Sequence, residues 1–130
     1  MVLNPDCVRD ILLEVEDSKF GELLTLYSLE EKLPDYTFEE LWYTCLKLEE
    51  GGYLDLMTFA QIGSHYPSIK QINGMTFFGH EFLNTIRPES TWDQTKEVAK
   101  KIGTSSLESI GEIAKGLMAA TITSALQGLL

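Results

Sequence analysis

Positive charge is in short supply in this chain. Ten Lys and Arg stand against 20 Asp and Glu in 130 residues, giving a formal net charge of -10. The shortage is uneven: residues 1–90 hold 16 Asp and Glu against 6 Lys and Arg, whereas residues 91–130 hold 4 of each. Proteins grip a duplex with Lys and Arg that displace counterions from phosphate, so the first part is a poor match to nucleic acid. The plainest use of such acidity is to keep a small protein in solution.

Cysteine is rarer still, with two residues. Cys7 and Cys45 lie far apart, and no cationic and apolar leader precedes the Leu3-Asn4-Pro5-Asp6 start, which points to a cytoplasmic protein with free thiols. Long hydrophobic runs are missing too. The longest uncharged stretch covers residues 116–130, and its 15 residues fall short of the roughly 20 that a membrane-crossing helix needs.

The sequence also lacks the short patterns that carry chemistry. It has no Gly-Lys-Ser or Gly-Lys-Thr to cradle phosphate and no Gly-x-Ser-x-Gly nucleophile turn. Cys7, Cys45, His65 and His80 contain no closely spaced ligand pair, so no metal is expected. His80 and Glu81 are neighbours, but adjacent side chains on a helix diverge by about 100°, which sets them on different targets. The expectation is a protein without catalytic residues, cofactor or metal.

What the sequence does contain is a series of helix starts. Asn4 followed by Pro5 and Asp6 caps a first helix whose Val8, Ile11, Leu12 and Val15 share a face. Ser28 with Glu31 predicts a short second helix, stopped by Pro34. Thr37 with Glu40 predicts a third, in which Phe38, Leu41, Trp42, Cys45 and Leu48 recur as a buried stripe before Gly51 and Gly52 end it. Residues 53–59 and 68–72 then read as a hairpin, and residues 76–87 as a fourth helix closed by Pro88.

This order, three helices, a hairpin and a helix, predicts a mainly α fold with a small β-hairpin: a winged-helix-like head over residues 1–88. Residues 89–130 read as a helical extension. Trp92, Thr95, Ala99 and Ile102 line one face of a fifth helix, Gly103 breaks it, and Ser105 with Glu108 opens a sixth. Along the sixth, Gly116, Ala120, Ser124 and Gly128 recur every four residues. Leu107, Ile110, Ile113, Leu117 and Leu126 flank that ridge. Such an apolar surface needs cover, and small residues let another helix approach closely. It can fold back on its own chain, pair with other copies or lie on a membrane. Pairing, as a dimer or tetramer, is the preferred expectation, with Leu107, Ile110, Ile113, Leu117, Ala120, Ser124 and Leu126 at the interface.

Two acidic faces stand out in the head. Asp6, Asp10, Glu14 and Asp17 follow one another at helical spacing along the first helix. Turning the hydrophobic stripe of the third helix inward leaves Glu39, Glu40, Tyr43, Lys47 and Glu50 outside, which is a poor surface for phosphate in the position of a recognition helix. The eight candidate partner-binding residues are therefore Asp6, Asp10, Glu14, Asp17, Glu39, Glu40, Tyr43 and Glu50. They suit a basic surface on a protein partner better than a duplex.

Three segments carry a family resemblance: LNPDCVRDILL at residues 3–13, LKLEEGGYL at 46–54, and GHEFLNTIR at 79–87 before Trp92. Together they resemble a family of small bacterial and prophage proteins known as domain of unknown function 2513. The resemblance implies a winged-helix-like head, a C-terminal helical extension and a mobile-element setting, and it supplies no catalytic residues. A phage setting implies two roles. One is interference with a host defence enzyme that handles nucleic acid, such as a CRISPR effector; the other is transcriptional regulation by DNA binding, for which Lys96, Lys100, Lys101 and Lys115 would have to form a basic surface.

Overall fold

The computed structural model describes residues 1–129 and follows the order α1 (Pro5–Asp17), α2 (Leu26–Lys32), α3 (Phe38–Glu50), β1 (Leu54–Phe59), β2 (Ser68–Met75), α4 (Phe77–Ile86), α5 (Glu89–Ile102) and α6 (Leu107–Leu129). Two compact units share it, Met1–His80 and Glu81–Leu130. The division falls inside α4 and not at Pro88, because Phe82 already belongs with the second unit, where its ring lies against Gly111 of α6.

The first unit begins as its caps dictate. The Asn4 side chain accepts the Asp6 amide at 3.0 Å, and Cys7, Val8, Ile11, Leu12 and Val15 form the buried face of α1. Helix α2 starts about one turn earlier than its Ser28–Glu31 pattern suggests. Thr25 is the cap, and Thr25 and Ser28 exchange side-chain and backbone hydrogen bonds at 3.2 Å. The earlier start places Leu26 and Leu29, three residues apart, on one buried face.

Thr37 caps α3 as expected, accepting the Glu40 amide at 3.1 Å. The buried stripe is rotated from the expected one: Leu41, Thr44, Cys45 and Leu48 are buried, whereas Phe38 and Trp42 are half-buried. Thr44 can join the core because its hydroxyl donates to the Glu40 carbonyl at 2.7 Å. Of the two glycines after the helix, Gly52 takes the left-handed conformation (φ 85°) while Gly51 stays helical.

Strands β1 and β2 pair antiparallel from Leu54↔Met75 to Phe59↔Ser68, joined by a loop of residues 60–67. Leu54, Leu56 and Ile72 turn inward. Beside this two-stranded sheet, Leu24 makes an isolated β-bridge to Ile72, whose amide donates to the Leu24 carbonyl at 2.8 Å. A bridging residue between α1 and α2, placed against the last strand of a hairpin, gives the winged-helix topology. The fold is thus mainly helical, with a winged-helix-like head and a helical extension.

The edge of β1 is closed by a side chain. The Glu49 carboxylate, at the end of α3, accepts the Leu56 amide at 3.0 Å and so occupies a donor that an exposed edge would offer to another chain. Glu49→Ala is expected to cost about 1–2 kcal/mol, because the partly buried amide loses its acceptor. Glu49→Gln keeps an acceptor oxygen and is expected to recover most of the loss. Urea midpoints of the two variants, together with hydrogen exchange at Leu56, check this; equal stability of Glu49→Ala and the parent would refute it.

In the second unit, Trp92, Thr95 and Ala99 form the buried face of α5, while Ile102, expected to share that face, is exposed. Gly103 ends the helix in the left-handed conformation (φ 86°). The cap of α6 is Ser106 and not Ser105: the Ser106 hydroxyl accepts the Ser109 amide at 3.3 Å. Only the first half of α6 is packed. Ile110, Gly111 and Ala114 are buried, and every described residue from Ala119 onward is exposed.

Candidate interaction surface

The two acidic faces of the head have different fates. On α1, Asp10 accepts a hydrogen bond from the Tyr36 hydroxyl at 2.6 Å, and Glu14 lies 3.9 Å from the Lys32 ammonium. Burial and the Asp10 carboxylate both push the Tyr36 phenol well above its usual range, so it remains a donor. Asp6 is half-buried and also engaged, which leaves Asp17 as the exposed member of the set. Two of the four residues of this stripe, Asp10 and Glu14, thus face groups from neighbouring segments.

On α3 the outward residues form a continuous surface. Glu39 and Glu50 are exposed, and Glu40 and Tyr43 are half-buried. Lys47 is neutralised within the chain: its ammonium lies 3.0 Å from Glu50 and 5.6 Å from the centroid of the Tyr43 ring. The hydrogen bond to Glu50 raises the Lys47 pKa, so it stays charged and paired. The helix that stands where a winged-helix protein meets DNA therefore offers phosphate no free cation from its own outward face.

Aromatic rings were the part the sequence reading missed. Tyr27, Phe38, Trp42 and Tyr66 follow one another across α2, α3 and the hairpin loop, with centroid separations of 5.3, 6.4 and 6.4 Å. The Trp42 indole N–H donates to the Pro67 carbonyl at 2.9 Å and pins the loop to α3. Tyr27 and Tyr66 are largely exposed, as is Phe59 beside them. Phe38 and Trp42 were legible as apolar residues at helical spacing, but that spacing alone does not say whether they face a core or a ridge.

The ridge is flanked by shallow depressions. One of about 220 Å³ has almost wholly apolar walls and is lined by Met1, Glu39, Trp42, Tyr43, Leu46 and Tyr66. A second of about 270 Å³ lies between Tyr43, Lys47, Glu50 and Pro67. A broader cleft of about 620 Å³ is lined by residues 18–24, the end of β2 and His80. Cys7 and Cys45 are buried with free thiols, and burial raises both, Cys7 to about 11, so each is neutral near pH 7. Among the described residues no three His, Cys, Asp or Glu side chains cluster as metal ligands would.

Among the expected assembly residues, Ile110 is buried within its own unit. Leu107, Ile113 and Leu117 are half-buried, and Ala120, Ser124 and Leu126 are exposed. No described helix is long and apolar enough to cross a membrane.

A winged-helix-like head whose third helix is acidic and aromatic, followed by a helical extension, is the class of protein these features define. Residues 2–106 match the family described as Hypothetical protein (DUF2513), and the chain belongs to this bacterial and prophage family of unknown function. The match ends at Ser106, the residue that caps α6. No curated protein and no solved structure matches the chain.

Proposed function

We propose that this protein is a non-enzymatic, cytoplasmic interaction module that presents the outer face of α3 to a protein partner and assembles through the exposed half of α6. The observation that carries the reading is the α3 face itself. In the position of a recognition helix, Glu39 and Glu50 flank Tyr43, and the lysine between them is paired internally. Such a surface repels phosphate and complements a basic groove. Within a phage-associated family, the reading extends to an inhibitor that occupies the nucleic-acid groove of a host defence enzyme, such as a CRISPR effector. Docking is assigned to Glu39, Glu40, Tyr43 and Glu50.

The test is charge reversal of Glu39, Glu40 and Glu50 to lysine in the full chain carrying a photo-crosslinking residue at Asp35, expressed in bacteria that contain the defence enzyme. The parent is expected to crosslink to a nucleic-acid-binding protein, and the triple variant to lose the crosslink at least tenfold while its thermal transition is retained. An unchanged crosslink overturns the docking face. Salt-dependent retardation of a duplex by the parent overturns the reading in favour of a DNA-binding regulator.

A further inference from the structure

We propose that the depression walled by Trp42, Tyr43 and Tyr66, with Glu39 at its rim, receives the side chain of an arginine presented by the protein partner. The inference rests on the functional reading above and deepens it by naming what the partner inserts.

Two neighbouring depressions share Tyr43, Leu46 and Tyr66 as walls. One of them already holds a cation from the chain: the Lys47 ammonium sits over the Tyr43 ring and against the Glu50 carboxylate. The other shares those aromatic walls and adds Trp42, with Met1 along one side. Its walls are almost wholly apolar, Glu39 stands at the edge, and no Lys or Arg side chain lines it. No hydrogen bond or ion pair engages the Glu39 carboxylate among the described residues, in contrast to Asp10, Glu14, Glu49 and Glu50, which all have partners.

Size and shape narrow the occupant. At about 220 Å³ the depression lies below the range of roughly 300–1,000 Å³ usual for cofactors and drug-sized ligands, which suits a single long side chain. Apolar walls favour an aliphatic stem, with its charged head left at the rim. The rings of Trp42 and Tyr66 meet edge to face, at 72° and 6.4 Å, and the bond from the indole to Pro67 fixes that geometry before any partner arrives. A planar guanidinium can stack on such a ring while forking onto a carboxylate, which an ammonium cannot do. The wider field agrees: Met1–His80 carries 14 Asp and Glu against 5 Lys and Arg.

The experiment is a titration of the isotope-labelled full chain with three blocked glycine pentapeptides, bearing a central arginine, lysine or citrulline, followed by NMR. The arginine peptide is expected to shift the Trp42 indole and the Tyr43 and Tyr66 amides saturably. Citrulline should abolish the response, and lysine and the surface variant Glu39→Gln should each weaken it several-fold. Equal binding of lysine and arginine overturns the stacking argument. Shifts confined to other acidic faces, or none at several millimolar peptide, overturn the site. In either case the crosslinking test still decides separately whether the α3 face docks a protein.

Discussion

Replacing Gly79 with alanine is expected to lower the thermal midpoint of the head by several degrees, although glycine to alanine inside a helix ordinarily stabilises. Near the start of α4, Thr76 accepts the Gly79 amide at 3.1 Å, and its own hydroxyl donates to the Gly52 carbonyl. These bonds press the helix onto the end of α3. A Cβ built on Gly79 would lie 2.3 Å from the Tyr53 carbonyl oxygen and 2.5 Å from Met75 Cγ. The methionine end can swing aside, but the carbonyl is backbone and accepts the Thr76 amide at 3.0 Å.

Removing glycine gains at most about 1 kcal/mol of helix propensity, and less this close to the N-terminus. Overpacking against fixed backbone costs about 1–3 kcal/mol or more, so the net expected loss is on the order of 2 kcal/mol. Gly111 is the control. Its Cβ would meet the Phe82 ring at 3.6 Å, an ordinary contact, so Gly111→Ala is expected to be neutral or stabilising by up to about 1 kcal/mol. Thermal unfolding of both variants settles the comparison; a neutral Gly79→Ala would mean that the α3 end and α4 can separate without loss.

The second large effect is expected from α6. Cutting the chain after Met118 removes the exposed half of the helix but keeps Ile110 and Ala114 in place within the second unit. Ile122, Leu126 and Leu129 are 52%, 57% and 84% exposed, and complete burial of each such side chain is worth about 1.5–3 kcal/mol. Two copies of that face, brought together, supply several kcal/mol against an association cost of at least about 4 kcal/mol. The balance is favourable but narrow. The full chain is therefore expected to sediment as a dimer or tetramer at micromolar concentration, and the shortened chain as a monomer with an unchanged thermal transition. Leu126→Glu should do the same, since symmetry places its charge at the interface more than once. A monomeric full-length chain would remove assembly from the proposed function.

The caps of α1 and α3 were legible because a cap is a local event: the side chain and the amides it satisfies are within three residues. Thr25 was missed for α2 because both Thr25 and Ser28 can cap, and the choice between them depends on where Leu26 and Leu29 are buried. The bridge at Leu24 could not be read at all. A one-residue bridge has no alternation, and its partner Ile72 is far away in sequence. On α6 the apolar pattern runs the whole length, so it could not show that packing stops near Met118. The acidic stripe of α1 was visible, but its engagement was not, because Tyr36 and Lys32 reach it from other elements. The aromatic ridge was hidden for the same reason, since its rings come from three separate segments.

The bond from Trp42 to Pro67 has a consequence for the thermodynamics of any encounter. A hairpin loop that must settle before a partner can use it adds an unfavourable ordering entropy to association. Here Tyr66 and Pro67 are already fixed against α3, so that entropy is lost when the chain folds and not when it binds. Any partner that met this face would then find it already ordered, with little capacity to remould itself around a second kind of surface.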